Sequence, residues 1–494
     1  MKEILAFVPF LILFTILGFT RIQSYIATSA AMFVTGVMAL FLWKTSADII
    51  CFSALEGVIT ALIPIIWVIF AAVFTYFVSV ETGAMDEIKN FLIRICPDLR
   101  IQAVLIAFCF GGFLESIAGF GTAVAIPTAM LISLGFEPVA AAIVCLVANS
   151  VPVAFGALGI PVIVLSSLTG LDQGLLTNHV AIQLTLFAFL VPLAIVLLAG
   201  KGNKPEFRVC MDSLLIGMAF SAIQLFVAFI AGPELVAIAA SLGSLVFYII
   251  IQHFRNPKAE SILSKNIFMA LVPFIILLAL VIITRLFDIP FLKRFPFLIT
   301  LELKGHPVRI DYLTTPGTIL LFSAIVGGFM QGITLNKISG LLLKTFLKIK
   351  LSCITIISIL ILAKIMGASG MITSVAKMIA SISGVFFPLI APILGAMGTF
   401  VTGSDTSSNI LLGELQKQTA ISTGFDPSWV AASNTAGATA GKMISPQSIS
   451  VAAATVGIES RQNEIFRKTF LYCLIYVTVL GIMVYFGALI IKNN

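Results

Sequence analysis

Three ionisable side chains lie in long uncharged stretches, and their types suit ion-coupled binding of an anion. Glu115 lies between two apolar stretches, Asp405 lies in the polar row 402–409, and Lys442 is the one charge in the segment 427–458. Because apolar surroundings favour the neutral form of a carboxyl group, Glu115 is suited to carrying a proton. Asp405 is suited to the same role or, with the hydroxyl groups beside it, to holding a cation. Lys442 is suited to offsetting the charge of an anionic substrate.

Each of these charges has an alternative interpretation as a helix-end side chain that extends to the membrane surface. Glu56 and Lys364 are further candidates of the same kind, to which this alternative applies more strongly. The functional interpretation therefore depends on whether the surrounding helices are broken.

A pattern of glycine, asparagine and proline occurs twice along the chain. The first copy is Gly119-Phe-Gly-Thr122, Gly135-Phe-Glu-Pro138, Asn149-Ser150, Gly156 and Pro161, and the second is Gly403-Ser-Asp-Thr406, Gly424-Phe-Asp-Pro427, Asn434-Thr435, Gly441 and Pro446. The asparagine precedes the last glycine by seven residues and the last proline by twelve in both copies. Gly83 and Gly370 extend the match upstream. This spacing predicts an internal duplication within one transporter domain, 1–494, with repeats at about 49–200 and 338–458.

Corresponding glycine and proline interruptions in two repeats indicate a transporter site near the middle of the membrane. A broken helix survives in lipid only where protein or water covers its free backbone groups, so the breaks predict a cavity. A helix that begins at such a break directs free N–H groups into the cavity, which suits a carboxylate. The alternative is that the small residues only allow helices to pack closely.

The composition requires a membrane environment. Of 494 residues, 60% are hydrophobic and only 10% are charged, so the chain cannot cover itself with charge in water. Several charge-free runs are long enough to cross a bilayer, namely 4–20, 22–43, 180–200, 213–233, 235–252, 266–284, 312–336 and 469–491. We expect an all-α polytopic membrane protein with about 12–14 transmembrane segments in two inverted structural repeats with broken helices or re-entrant hairpins.

The net charge of +7 has a membrane explanation, since lysine and arginine collect in cytoplasmic loops. Four basic stretches, 201–208, 253–265, 337–350 and 461–468, are therefore predicted to be loops on the inside. The segment 285–311 disagrees, because it would lie outside and yet carries five basic residues. A re-entrant piece or a miscounted span is expected there, and no nucleic-acid partner is expected. The first apolar run is interpreted as a retained span and not as a signal peptide.

The chain contains no signature of soluble enzyme chemistry. Gly441-Lys442 is followed by Met443 and so does not form a P-loop, and neither GxSxG nor HExxH occurs. Seven cysteines without a CxxC pair and three dispersed histidines predict no disulfide framework, no metal site and no cofactor. We therefore expect a transporter and not an enzyme.

The motifs resemble those of the bacterial L-lactate permease family. The resemblance rests on the segments 115–122, 148–161, 402–409 and 441–448, and it extends over most of the chain. It implies uptake of L-lactate, glycolate and related 2-hydroxy monocarboxylates by proton symport across the bacterial cytoplasmic membrane. A homo-oligomer is compatible with it. The alternatives are a sodium-coupled carrier of another small organic acid and, from other classes, a channel or a membrane-embedded enzyme.

These inferences predict one site between the two copies. The predicted substrate-binding residues are Gly119, Gly121, Thr122, Asn149, Ser150, Ser404, Thr406, Ser407, Asn409, Asn434, Thr435, Lys442 and Ser445. Asn149, Ser150, Asn434 and Thr435 are expected to bind the carboxylate and the 2-hydroxyl group, and Glu115 or Asp405 is expected to carry the proton. One proton would neutralise one lactate anion during transfer.

Overall fold

The computed structural model describes residues 2–19, 24–96, 98–117, 121–200, 205–255, 265–286, 298–303, 306–311 and 315–492. Helices dominate this part of the chain. The first five are α1 (Lys2–Leu5), α2 (Val8–Phe19), α3 (Ser24–Phe41), α4 (Ala47–Thr60) and α5 (Trp67–Glu81). A π-helical segment, Ala61–Ile66, joins α4 to α5 and contains Pro64, which removes one backbone donor from the ladder. The long apolar region at 49–80 is thus one continuous but locally rewound helix.

The first copy of the repeated pattern falls on the next group of helices. These are α6 (Ala84–Ile95), α7 (Leu99–Ala103), the π-helical segment Val104–Phe110, α8 (Gly111–Ile117), α9 (Thr122–Ser133), α10 (Pro138–Ala148), the 3₁₀ turn Pro152–Phe155, α11 (Gly156–Thr169) and α12 (Gln173–Ala199).

A central group connects the two copies. It comprises α13 (Phe207–Ala231), α14 (Pro233–Arg255), α15 (Lys265–Leu286), β1 (Leu298–Leu303), β2 (His306–Asp311), α16 (Pro316–Met330) and α17 (Leu335–Ala368). The strands β1 and β2 form an antiparallel hairpin in which Leu298 pairs with Asp311 and Leu303 pairs with His306.

The second copy occupies the remaining helices. They are α18 (Met371–Ser383), the 3₁₀ turn Gly384–Phe386, α19 (Phe387–Thr402), α20 (Asp405–Thr423), α21 (Pro427–Ile444), α22 (Pro446–Thr455), the 3₁₀ turn Glu459–Arg461 and α23 (Gln462–Lys492).

Within the described residues, eight helical stretches are long and apolar enough to cross a membrane, and six shorter apolar helices accompany them. The eight are Leu99–Ile117, Pro152–Thr169, Gln173–Ala199, Phe207–Ala231, Pro233–Arg255, Leu335–Ala368, Met371–Thr402 and Gln462–Ile491. The prediction of a polytopic helical membrane protein with broken helices is confirmed. The hairpin of β1 and β2 is the one departure from all-α structure in the described residues.

Three basic segments have structures that the charge pattern did not predict. The described part of 285–311 includes the β-hairpin and no re-entrant helix after Leu286. The stretch 337–350, predicted as a loop, is the first half of α17, where Lys337 pairs with Glu81 at 2.8 Å. Most of 461–468 is likewise helical, as the start of α23. Clustered lysines indicate a preferred side of the membrane, but they are also good helix formers.

Corresponding glycines of the two copies adopt the same backbone conformation. Gly83 and Gly370 are left-handed, with φ of 72° and 78°, and each precedes a helix, α6 or α18. Gly121 (φ 86°) before α9 and Gly403 (φ 73°) before α20 are also left-handed, although the aligned motifs pair Gly403 with Gly119, which lies outside the described residues. A left-handed residue at these breaks favours glycine, which has no Cβ to clash.

The helices α10 and α21, one from each copy, also begin in the same way. Pro138 and Pro427 occupy the first positions of α10 and α21, where the missing proline N–H is not needed. The preceding acidic residue caps the helix in both copies, since Glu137 accepts from the Ala140 amide at 2.8 Å and Asp426 accepts from the Trp429 amide at 2.7 Å.

The helices of the two copies pack on each other reciprocally. Helix α11 of the first copy packs against α20 of the second copy, and α22 of the second copy packs against α9 of the first. In the same manner α12 packs against α21, and α23 packs against α10. The segments of both copies that carry the predicted site are thereby brought into one place.

Candidate functional site

A cavity of about 400 Å³ lies where the broken helices of the two copies meet. Its volume is within the range of about 300–1,000 Å³ that small-molecule sites occupy. Glu115, Asp405 and Lys442 all line it, together with Gly121, Ser404, Thr406 and Ser407. The structure therefore brings together seven of the predicted residues, including every one that carries a charge.

The two carboxyl groups of the cavity are buried and largely unpartnered. Glu115 is 3% exposed and Asp405 is 2% exposed. Neither oxygen of Asp405 has a hydrogen-bond partner among the described residues, and the same holds for Oε2 of Glu115. Buried carboxyl oxygens without a partner are uncommon in folded proteins, so both side chains are candidate functional groups of the cavity.

Lys442 is the cationic side chain among the described lining residues. Its Nζ donates to the carbonyl oxygen of Gly403 at 3.1 Å, at the end of α19 where the helix dipole is negative. An ammonium group has three N–H donors, so this contact leaves others for an anion in the cavity. Lys442 lines the same cavity as Asp405 and Glu115.

Several helix N-termini open into the same cavity. Gly121 precedes α9, residues 404–407 begin α20, and Gln447 and Ser448 lie in the first turn of α22. Ser404 caps α20 by accepting from the Ser407 amide at 3.3 Å. The first amides of a helix lack intrahelical partners and carry partial positive charge, which stabilises a carboxylate.

A strained turn in α11 also borders the cavity. Ala157, Leu158 and Gly159 are all left-handed, with φ of 43°, 60° and 73°, and Ala157 lines the cavity. For the two residues with a Cβ this conformation costs about 1–2 kcal/mol each. A Cβ on Gly159 would lie 2.6 Å from the carbonyl oxygen of Pro233, so only glycine permits α14 to approach this turn. The strained residues thus interrupt α11 at the border of the cavity.

Part of the lining comes from helices that carry none of the repeated motifs. This part consists of Tyr25 of α3, Ile69 of α5, and Leu351, Ser352, Thr355 and Ile356 of α17. These residues are uncharged, and three carry hydroxyl groups. They were missed by the sequence analysis, because serine and threonine in an apolar helix are common and carry no spacing signal. Gln447 and Ser448 lie within the recognised motif 441–448 but were not predicted to bind the substrate.

Three predicted residues of the second copy lie outside the cavity lining in a closed network of hydrogen bonds. The Asn409 amide donates to Thr435 Oγ1 and to the Pro161 carbonyl, both at 2.9 Å. Asn434 donates to Asn409 Oδ1 at 2.8 Å and accepts from Gln416 at 2.7 Å. All of these side chains are fully buried. Their polar groups hold α20, α21 and α11 together.

Three more predicted residues, Ser150, Ser445 and Asn149, are also placed away from the lining. Ser150 donates to the Val147 carbonyl at 2.7 Å, and Ser445 caps α22 by accepting from the Ser448 amide at 3.1 Å. Asn149 is 2% exposed at the end of α10, and both of its amide atoms lack a partner among the described residues. Gly119 and the side chain of Thr122 lie outside the described part of the structure.

The two further charged candidates, Glu56 and Lys364, pair with each other. Lys364 Nζ lies 2.6 Å from Glu56 Oε1, which joins α17 to α4 away from the cavity. A mutual ion pair satisfies both charges and leaves neither available for a substrate.

A family model for L-lactate permease matches residues 2–302 and 302–491. The chain belongs to the L-lactate permease family. An L-lactate permease of Streptococcus iniae is 36% identical over 87% of this chain and 93% of its own length. The glycolate permease GlcA of Escherichia coli strain K12 is 34% identical, and an L-lactate permease of Bacillus subtilis strain 168 is 32% identical. Both of these cover 98% of this chain and 95% of their own length.

This permease also has the fold of a solved transporter structure. The YdaH transporter of Alcanivorax borkumensis, described as having an unusual topology, superimposes with a TM-score of 0.53 at 15% identity. The match covers 93% of this chain and 97% of that one. At this identity the likeness concerns the fold alone. Membership of the permease family agrees with the expectation of a multi-pass membrane transporter.

Proposed function

We propose that this permease takes up L-lactate and related 2-hydroxy monocarboxylates, glycolate among them, by proton symport across the bacterial cytoplasmic membrane. The names of its relatives, L-lactate permease and glycolate permease, support the substrate class. The proposed substrate-binding residues are those that line the cavity: Gly121, Ser404, Thr406, Ser407 and Lys442, joined by Gln447 and Ser448.

The charge inventory of the cavity carries the proposal of proton coupling. With both carboxyl groups ionised, Glu115 and Asp405 would outweigh Lys442 by one negative charge, and a lactate anion would raise the excess to two. Excess charge in a buried site is costly, so the anion is expected to bind when a proton has neutralised one of the two acids. Proton binding and substrate binding then favour one another, and this is the basis of symport.

The proposed cycle follows from that coupling. From the outside, Glu115 or Asp405 takes up a proton, and the lactate carboxylate binds at Lys442 and the N-termini of α20 and α22. With one proton bound, lactate brings the net charge of the site to −1 instead of the −2 it would have without the proton, so the loaded site passes the low-dielectric barrier more readily than the site with the anion alone. On the inside the proton leaves first or with the substrate, and the restored carboxylate repels the anion.

We further propose that the two copies are inverted repeats, at about 49–200 and 338–458, within one transporter domain. The matched left-handed glycines, the matched capped prolines and the reciprocal packing of α11 on α20 and α22 on α9 support this arrangement. A two-fold relation in the membrane plane would give the site similar access from both sides.

One observation favours a second candidate, sodium-coupled transport of a small organic acid. Both oxygens of Asp405 lack a partner in the part of the chain that the structure describes, and Ser404, Thr406 and Ser407, which carry hydroxyl groups, line the same cavity. Oxygen ligands of this kind suit a hard cation. Proton coupling is preferred because Lys442, also in the cavity, disfavours a second cation there.

Uptake of labelled lactate into proteoliposomes tests the coupling ion. An inward proton gradient is expected to drive accumulation in the absence of sodium, whereas accumulation that requires a sodium gradient would replace the proton by sodium. Proteoliposomes that take up neither lactate nor glycolate would refute the proposed substrate class.

Neutral variants then identify the proton carrier. Glu115→Gln and Asp405→Asn keep the shape of each side chain and remove its titration. The variant of the proton carrier is expected to lose gradient-driven accumulation, by at least about tenfold, and to retain exchange of external labelled lactate for internal lactate. Full accumulation in both variants would exclude both residues from the proton path.

A further inference from the structure

Two chemically different groups of residues contribute to the cavity lining. The charged part consists of Glu115, Asp405, Lys442 and the helix N-termini of α20 and α22. The second part, here termed the hydroxyl wall, consists of Tyr25, Ser352 and Thr355, with Ile69, Leu351 and Ile356 beside them. A small hydroxy acid has the same two parts, a carboxylate at one end and a hydroxyl group with a short alkyl group at the other.

Ser352 and Thr355 are placed to act as a pair. They are three residues apart on α17 and therefore lie on one helix face. Both are partly exposed to the cavity. Thr355 Oγ1 donates to the Leu351 carbonyl at 3.1 Å, so its oxygen retains lone pairs that can accept a hydrogen bond.

We propose that Ser352 and Thr355 recognise the 2-hydroxyl group of the substrate and so determine that 2-hydroxy acids are selected over plain short-chain carboxylates. The inference rests on the proposed function, because it takes the carboxylate as bound by the charged part of the cavity. The alkyl group of the substrate then contacts Ile69, Leu351 and Ile356. A site that pairs with a substrate hydroxyl rejects an analogue without one, since its own polar groups would be left unpaired.

Competition between lactate and propionate tests this assignment, because propionate differs from lactate by the absence of the 2-hydroxyl group. In proteoliposomes of the unmodified protein, unlabelled lactate is expected to inhibit labelled lactate uptake at lower concentration than propionate does. In the double variant Ser352→Ala, Thr355→Val the half-saturating concentration of lactate should rise by about tenfold, with propionate unaffected, as the loss of one or two hydrogen bonds implies.

Thr345→Val is the matched control. Thr345 is another threonine of α17 that donates to the carbonyl four residues before it, at 2.8 Å, but it is fully buried and lies outside the cavity lining. Its substitution is expected to leave the ratio of lactate to propionate unchanged. Thr355→Ser keeps the hydroxyl group and should therefore keep most of the preference for lactate over propionate. It provides a second test in case the double variant does not reach the membrane.

The outcomes separate the two proposals. If the unmodified protein transports lactate but the double variant shifts lactate and propionate equally, or shifts neither, the hydroxyl wall does not recognise the substrate and the proposed function stands. If the unmodified protein does not distinguish the two acids, the inference fails in the same way. If it takes up neither lactate nor glycolate, the proposed function fails and this assignment fails with it.

Discussion

At the scale of single residues, Lys442 and Lys417 show the same contact in two different surroundings. Lys442 donates to the carbonyl at the end of α19, and Lys417 donates to the Thr169 carbonyl at the end of α11, at 2.6 Å. Lys442 lines the cavity and Lys417 does not. Any effect specific to substrate binding should therefore distinguish these two lysines, whereas a purely structural effect should not.

Lys442→Met is predicted to weaken substrate binding. Hydrogen bonds to a charged group contribute about 1.5–3 kcal/mol, so the half-saturating concentration of lactate should rise by about 10- to 100-fold. Initial rates of labelled lactate uptake in proteoliposomes measure this change. Lys417→Met, the control, should leave the half-saturating concentration unaltered even if less protein reaches the membrane. Equal shifts in the two variants would contradict a role of Lys442 in the substrate site.

The charged residues of the site could be predicted from the sequence, but the asparagines were harder to place. Glu115, Asp405 and Lys442 stand out because a charge in an apolar segment has few explanations. Asn434 has a buried amide partner on α20, a contact between distant parts of the chain that spacing does not indicate. Ser352 and Thr355 lacked any signal, because their importance comes only from the face of α17 that meets the cavity.

At the scale of elements, the corresponding helices α10 and α21 end at different points of the repeated pattern. α10 ends at Ala148, whereas α21 continues past Asn434 to Ile444. The reason is proline, which disfavours a helical conformation in the residue before it and cannot continue the hydrogen-bond ladder. Pro152 follows Asn149 closely, but the second copy has no proline until Pro446. The aligned asparagines therefore occupy different local structures despite identical spacing.

Glycines allow α19 and α21 to pack closely. For Gly441, a residue of the repeated pattern, this agrees with the alternative that the small residues serve helix packing. A Cβ on Gly441 would lie 2.1 Å from the Ala396 carbonyl oxygen, and one on Gly437 would lie 2.0 Å from that of Pro392. Both neighbours are backbone atoms, which cannot move without shifting a helix. The four-residue spacing places the two glycines on one face of α21 and lets the helices approach closely.

Gly441→Ala is predicted to destabilise the protein through this contact. Overpacking a tight helix interface costs about 1–3 kcal/mol, and here it would also displace Lys442 from Gly403. The measurement is the thermal unfolding midpoint of the detergent-solubilised protein, which should fall. Gly340→Ala in α17 is the control, since no atom lies within 4 Å of its added Cβ and alanine is the better helix former. A Gly441→Ala midpoint at or above that of Gly340→Ala would show that the close approach is dispensable.

At the scale of the whole molecule, the arrangement follows from reciprocal contacts that join distant segments. The site forms because α11 reaches α20 and α22 reaches α9, while α3, α5 and α17 complete the lining. The duplicated pattern predicted the first two contacts in outline. The contribution of α17 could not be predicted, since no motif marks it and its basic first half was interpreted as a loop. The hairpin of β1 and β2 was not predicted either, because the basic residues of 285–311 indicated a re-entrant piece or a miscounted span.

The charges exchanged over a complete transport cycle predict electroneutral transport. One proton accompanies one lactate anion in the proposed cycle, so a complete cycle moves no net charge across the membrane, and a membrane potential, worth about 2.3 kcal/mol per charge per 100 mV, should not drive uptake. Proteoliposomes with an inside-negative potassium diffusion potential and no pH gradient should therefore fail to accumulate lactate, whereas an inward proton gradient without a potential should suffice.

Accumulation driven by the potential alone would mean that more than one cation enters with each anion, in which case Glu115 and Asp405 would both be loaded in a single cycle. Repeating the potential-driven measurement with Asp405→Asn distinguishes the two stoichiometries, because removing one of two loaded acids would abolish the response to potential.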